Sequence, residues 1–143
     1  MKRVFQFIFI TLFAFTSVNA QDVFGKWKTI DDKSGEVKSI VSIYKENGKV
    51  YGKIVEVLDP KAPEDAKCKN CTGENKDKPL VGLVFIKDLE KDGDEYNDGI
   101  VLDPETGKEY KCYIELEKAD TLKVRGYIGF SLLGRTQYWQ RVK

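Results

Sequence analysis

The sequence predicts an all-β protein whose strands form an antiparallel up-and-down barrel of about eight strands. Two observations carry this prediction: apolar and polar residues alternate along most of the chain, and short turn sequences rich in Asn, Gly, Asp and Pro separate the alternating segments. A two-sheet sandwich would fit the same alternation. Consecutive short hairpins favour a closed barrel, because closure leaves no strand edge exposed.

The alternating segments follow one another at hairpin spacing. They are VFGKWKTI (23–30), EVKSIVSIY (36–44), VYGKIVEVL (50–58), LVGLVFIKDL (80–89), GIVLD (99–103), KEYKCYIEL (108–116), TLKVRGYIGF (121–130) and RTQYWQRV (135–142). Between the second and third segments, Asn47-Gly48 supplies positive φ cheaply and predicts a tight turn. Residues 59–79, rich in Lys, Asp, Glu, Pro and Gly, interrupt the pattern and predict one long loop.

Residues 1–20 have the pattern of a secretory signal peptide. Lys2 and Arg3 precede an apolar run over residues 4–15, and Val18-Asn19-Ala20 fits a signal-peptidase site. The run is shorter than the roughly 20 apolar residues that span a bilayer, and no later segment is apolar enough to do so. An uncleaved anchor is the alternative. We predict export to the periplasm or the extracellular space, with residues 21–143 forming a single barrel domain.

The charge balance of the predicted mature chain argues against a nucleic-acid partner. Removing residues 1–20 leaves 22 Lys plus Arg against 23 Asp plus Glu, a net charge of −1. Nucleic-acid binding depends on an excess of positive charge that neutralises phosphates. A chain of this length also buries enough surface for one core without help from a metal.

Both ends of the predicted domain carry a tryptophan motif. Gly25-Lys26-Trp27 lies in the first segment, and Trp139 and Arg141 lie in the last. This arrangement resembles the lipocalin pattern, in which the tryptophan of Gly-x-Trp closes the barrel base and packs against a late basic side chain. A guanidinium stacked on the indole would add cation–π attraction of about 1 kcal/mol.

A longer succession of motifs covers essentially the whole predicted domain. It runs through Gly25-x-Trp27, Cys68-x-x-Cys71, KPLVGLVFIKDL, YNDGIVLDPETGKEYKC, LKVRGYIGF and GRTQYWQRV. This order is similar to that of a secreted bacterial family catalogued as domain of unknown function 2147, whose known members resemble lipocalins in fold. The resemblance implies a lipocalin-like or calycin-like barrel and an exported protein, and it brings no established activity.

The pair Cys68-x-x-Cys71 is predicted to form a disulfide. A structural zinc site needs four Cys or His ligands, but the chain has three cysteines and no histidine. A c-type haem needs His directly after the pair, where Thr72 stands. No helix follows to activate a thioredoxin-like thiol, although a redox role stays open. An oxidising compartment favours the disulfide, with pairing of Cys112 to either loop cysteine as the competing connectivity. We predict no metal and no cofactor.

The same residue inventory predicts no catalysis. Without histidine there is no ordinary Ser-His or Cys-His nucleophile, and nearly all carboxylates fall in turns. A hydrolase with paired carboxylates and a thiol-redox enzyme are the less favoured alternatives.

Binding of a small apolar or amphipathic ligand is the predicted function. The aromatic residues of the barrel would suit such a guest, although they would equally serve to fill a core. An inward guanidinium needs an anionic partner, which favours arginine as an anchor. Arg125 points to the same side of its strand as Lys123 and Tyr127, and this supports a surface position at least as well as an inward one. A closed-core protein-interaction or envelope-maintenance module is the alternative. The candidates for ligand binding or barrel closure are Trp27, Arg125, Tyr127, Arg135, Trp139 and Arg141, with Gln137 as a further polar candidate.

Overall fold

The computed structural model describes residues 22–130 and 132–143. The predicted signal peptide, residues 1–20, lies outside the described residues. Within them, the chain forms eight strands and one short 3₁₀ turn, Gly73–Asn75. The strands are β1 (Gly25–Ile30), β2 (Val37–Glu46), β3 (Lys49–Val57), β4 (Val84–Asp92), β5 (Glu95–Leu102), β6 (Glu109–Lys118), β7 (Thr121–Tyr127) and β8 (Gly134–Arg141).

The strands form a closed barrel in chain order. Each strand pairs antiparallel with the next, and β8 pairs with β1 through Trp27 opposite Arg141 and Lys28 opposite Gln140. The predicted up-and-down barrel is confirmed, and the sandwich alternative is excluded. Closure satisfies the backbone groups that β1 and β8 would otherwise leave exposed.

The two ends of the barrel differ in their connections. Two-residue turns join β2 to β3, β4 to β5 and β6 to β7 at one end, called here the base. Longer connections follow β1, β3, β5 and β7 at the other end, called here the mouth. In the β2–β3 turn, Asn47 and Gly48 have φ of 49° and 80°, so both central residues adopt the positive φ that the Asn-Gly sequence predicts.

Inward side chains from all strands fill the lower and middle barrel. The largest that are fully buried are Trp27, Ile43, Ile86, Leu89, Ile114 and Leu122. Side chains from opposite walls meet, since the ring of Phe85 on β4 lies 6.2 Å, between centroids, from that of Trp139 on β8. Each such side chain contributes about 1.5–3 kcal/mol of burial free energy, so this packing is the main source of stability.

The β3–β4 connection is longer than the sequence predicts. Leu80 donates its backbone N–H to Ala66 O (2.8 Å), and Gly82 donates to Ile54 O (2.7 Å). These contacts hold residues 80–83 against the wall before β4 begins at Val84. The same connection is fastened to the β5–β6 loop, where Asn70 Nδ2 donates to Glu105 O at 2.6 Å. No helix among the described residues has the length and apolar character needed to cross a membrane.

Candidate ligand site at the barrel mouth

The inward face of β8 carries a polar row that descends from the mouth into the lumen. Arg135, Gln137 and Trp139 alternate with the outward residues of the strand, as the period of two requires. The indole Nε1 of buried Trp139 donates to Gln137 Oε1 at 2.9 Å. The row therefore links a guanidinium at the mouth to an indole within the core.

Asp32, in the loop between β1 and β2, completes this row. Its carboxylate accepts hydrogen bonds from Arg135 Nε at 3.0 Å and from Gln137 Nε2 at 3.1 Å, and it also accepts one from Arg135 Nη2. The Arg135 fork is the main reason that the pKa of Asp32 falls from its ordinary 3.8 to about 2. We call Asp32, Arg135 and Gln137 the mouth cluster.

Local turn chemistry explains why Asp32 faces the mouth cluster. The preceding carboxylate, Asp31 Oδ1, accepts the backbone N–H groups of Lys33 (3.0 Å) and Ser34 (2.8 Å). An Asp side chain that bonds the following backbone in this way fixes a turn. The turn holds Asp32 where it can meet Arg135, which is 103 positions later in the sequence.

The lumen is polar near the mouth and apolar below it. On the neighbouring strands β1 and β2, Thr29 Oγ1 and Ser39 Oγ share a hydrogen bond at 2.8 Å. Below this level the inward residues are aromatic and aliphatic, as the buried Val41, Ile43 and Ile114 illustrate. Such a gradient matches a molecule with one polar end and one apolar end.

The connection from β7 to β8 exposes apolar side chains at the mouth. Ile128, Phe130, Leu132 and Leu133, called here the apolar loop, are 66% to 88% exposed. The backbone N–H of Ile128 donates to Leu133 O at 3.0 Å, which closes the loop two residues before Arg135 in the chain. Contiguous exposed apolar residues are uncommon on soluble proteins and mark surfaces that contact something apolar.

The base is closed by the two tryptophan motifs acting together. The guanidinium of Arg141 stacks 4.2 Å from the centroid of the Trp27 ring, and the Trp27 indole Nε1 donates to Val23 O at 2.8 Å. Gly25 has φ of 119°, and a Cβ there would lie 3.3 Å from Arg141 Nη1. Glycine is therefore needed both for its backbone conformation and for the passage of the guanidinium.

The remaining candidates lie on the outer wall. Arg125 donates through Nη1 to Thr136 Oγ1 at 2.8 Å across the β7–β8 pair. The ring of Tyr127 lies 6.3 Å, between centroids, from that of Tyr113 on β6. The structure thus brings Arg135, Gln137 and Trp139 into one row from the mouth to the core, and it separates Arg125 and Tyr127 from them.

Comparison with known proteins assigns the family. A family model described as an uncharacterized protein conserved in bacteria, DUF2147, matches residues 25–141, from the first strand of the barrel to the last. The chain belongs to this family. No curated protein matches the DUF2147 chain.

A solved structure supports the fold of this DUF2147 protein. The structure is described as protein HP1028 from the human pathogen Helicobacter pylori, a member of the lipocalin family. It is similar with a TM-score of 0.75 and 21% identity, over 86% of this chain and 84% of that chain. At this identity the likeness shows the fold, a lipocalin-like barrel.

The cysteines of the DUF2147 chain fall into two classes. Cys68 and Cys71 form a disulfide with a Cα–Cα distance of 5.3 Å, and both are buried in the β3–β4 connection. Cys112 is free and lies in the core, where burial raises the pKa of its thiol to about 12. The disulfide prediction is confirmed with the pairing that excludes Cys112.

Sequence reasoning missed Asp32 as a member of the mouth cluster. The sequence Asp31-Asp32-Lys33 reads as a solvated turn, and both of the hydrogen-bond partners of Asp32 lie on the last strand. Barrel closure was the signal that could have predicted this contact. When β1 and β8 are antiparallel neighbours, the loop after β1 must lie beside the first residues of β8.

Proposed function

We propose that this DUF2147 protein is an exported barrel that binds one small amphipathic molecule and performs no catalysis. The apolar part of the ligand would enter the lumen, and its anionic group would bind Arg135. The observation that carries the proposal is the mouth cluster, a carboxylate held by a guanidinium above an apolar interior.

Asp32 stands where a ligand carboxylate would bind. Two nitrogens of Arg135 hold the Asp32 carboxylate, which is the forked geometry that a planar guanidinium offers to any carboxylate. The side chain of Asp32 belongs to a loop, so it can leave the cluster without disturbing a strand. A ligand carboxylate would replace Asp32 on Arg135, and Gln137 would supply a further donor.

The apolar loop supports access of such a ligand through the mouth. Its side chains offer an apolar surface beside the mouth cluster, where a hydrocarbon tail could rest before it enters the lumen. Export is supported by the disulfide, because structural disulfides persist in oxidising compartments outside the cytosol. The lipocalin-like fold is consistent with both parts of the proposal.

A second candidate function is a protein-interaction module with a closed core. The observation that favours it is the burial of the large inward side chains, which pack the lumen at the level of Trp27 and Ile114. In that case the apolar loop would contact a partner protein, and the lumen would accept no guest.

Titration of delipidated mature protein with dodecanoate and with dodecanol separates the two functions. Dodecanoate is expected to quench the fluorescence of Trp139, which is one of two tryptophans in the chain. Native mass spectrometry should show one dodecanoate bound per protein molecule. Arg135→Gln should weaken dodecanoate about tenfold, since it removes a charge-assisted fork, and should leave dodecanol unchanged. Asp32→Asn should strengthen dodecanoate, because the internal competitor loses its charge.

Arg125→Gln is the matched control, since Arg125 lies on the neighbouring strand and faces outward. It should bind dodecanoate as the wild type does. If neither amphiphile binds and none co-purifies from the exporting host, ligand binding is wrong and the interaction module is favoured.

A further inference from the structure

The last hairpin of the chain contains no acidic residue. Residues 121–141 include four Lys or Arg and no Asp or Glu, although the whole chain has 23 acidic residues among 143. Strand β1 pairs with β8 on its other side, and its sequence GKWKTI also lacks a carboxylate. Three adjacent strands of the barrel, β7, β8 and β1, therefore form one stretch of wall that carries only basic and neutral residues.

The outward side of this wall is basic and aromatic. Buried Trp27, Leu122, Val124 and Trp139 point into the core from the three strands, so the residues between them point outward. The cations and tyrosines on this outer side are called here the basic wall, and they are Lys26, Lys28, Lys123, Arg125, Tyr127 and Tyr138.

The carboxylates that adjoin the basic wall belong to other elements. Glu115 on β6 is paired opposite Lys123, so β6 bounds the wall on one side. At the mouth, Asp31, Asp32 and Asp103 act on Arg135, whose guanidinium holds the Asp32 carboxylate. The outer side of β7, β8 and β1, which the structure describes in full, thus has a positive excess of charge.

The apolar loop extends the basic wall at the mouth. Phe130 and Leu132 are 76% and 88% exposed, and Tyr127, the last residue of β7, comes directly before the loop. Along the hairpin, exposed apolar side chains are thus followed by a tyrosine and then by Arg125 and Lys123. This is the order of a lipid–water interface, where apolar groups enter the acyl region, tyrosine rings lie among the headgroups and cations bind phosphate.

We propose that the β7–β8 hairpin docks on a membrane that contains anionic phospholipid. The apolar loop enters the acyl boundary, and the basic wall lies against the phosphates. Cores of protein interfaces are depleted of lysine, so three lysines beside an exposed apolar loop fit lipid headgroups better than a partner protein. Docking requires no ligand in the lumen, and it is therefore independent of the function proposed above.

Vesicle sedimentation with mature protein tests the apolar part of this contact. The probes are vesicles of phosphatidylcholine and vesicles of phosphatidylcholine mixed with phosphatidylglycerol. Wild type should bind the mixed vesicles about tenfold more tightly, and added salt should reduce this preference. Leu132→Ser should weaken binding to both vesicles about tenfold, because it removes an apolar side chain that enters the lipid. Val81→Ser is the matched control, since Val81 is also exposed, at 55%, but lies in the β3–β4 connection; it should bind as the wild type does.

A second pair of variants tests the basic wall. The ammonium groups of Lys123 on β7 and Lys53 on β3 each lie 5.6 Å from the centroid of a tyrosine ring, and the two strands are on opposite sides of the barrel. Lys123→Gln should weaken binding to the mixed vesicles about fivefold and leave phosphatidylcholine unchanged. Lys53→Gln should change neither.

Three results would overturn the docking proposal. The first is no sedimentation with the mixed vesicles at millimolar lipid, which is the result expected if the apolar loop serves a partner protein. The second is equal binding by Leu132→Ser and Val81→Ser. The third is equal binding by Lys123→Gln and Lys53→Gln.

Discussion

The three cysteines differ so strongly in their surroundings that their reactivity can be predicted residue by residue. Cys68 and Cys71 are bonded, and burial raises the pKa of the Cys112 thiol to about 12. A thiol reacts as its thiolate, so Cys112 should not react in the folded protein. We expect maleimide to label no cysteine in folded oxidised protein, one after denaturation without reductant, and three after denaturation with reductant, counted by mass. Labelling of the folded protein would contradict both assignments.

Sequence reasoning succeeded where the local pattern of residues decides a contact, and it failed where distant parts of the chain meet. The inward parity of Cys112 and the pairing of Trp27 with Arg141 follow from alternation and from a known motif. Asp32 carries no such pattern. It lies in a turn-rich segment, and its significance depends on β8, which is far away in the sequence.

The mouth cluster ties the β1–β2 loop to β8 and should make the free energy of unfolding depend on pH. The pKa of Asp32 is lowered from 3.8 to about 2, so the tie stabilises the fold above about pH 4 and is lost as pH falls towards 2. We expect Asp32→Asn to lower the free energy of unfolding by about 1 kcal/mol at pH 7, a value limited by solvent screening of the half-exposed Arg135.

Urea unfolding from pH 7 to pH 2 measures this dependence. The difference between wild type and Asp32→Asn should be constant down to about pH 4 and disappear near pH 2. Asp65→Asn, which removes an exposed carboxylate from the β3–β4 connection, should match the wild type throughout. A difference that persists at pH 2 would mean that Asp32 acts through packing and not through its charge.

Elements joined by tight turns were the predictable ones. The β2–β3 hairpin has the turn that Asn47-Gly48 indicates. The start of β4 was harder to predict from the sequence. Residues 80–83 have the composition of a strand, but backbone hydrogen bonds to Ala66 and Ile54 hold them in the connection before β4. Composition gives the tendency to extend, whereas the partner that pairs with an extended segment is a tertiary property.

Closure of the barrel was predictable because the first and last strands of the domain carry the residues that close it. Arg141 joins three separate segments at the base. Its Nε donates to Ala119 O at 2.9 Å, its Nη1 to Phe24 O at 2.8 Å and its Nη2 to Asp22 O at 2.7 Å. The same guanidinium covers the Trp27 ring, so one side chain fastens the first strand, the last strand and the β6–β7 turn.

Arg141→Lys is therefore expected to destabilise the protein by about 2 kcal/mol although the charge is kept. A lysine ammonium cannot make three divergent hydrogen bonds and stack on an indole at once. Lys143→Gln is the control, because it removes an exposed cation from the same end of the chain. Equilibrium unfolding in urea should show the loss for Arg141→Lys and none for Lys143→Gln. Equal stability of Arg141→Lys and wild type would show that positive charge alone closes the base, because the lysine would then replace the fork at no loss.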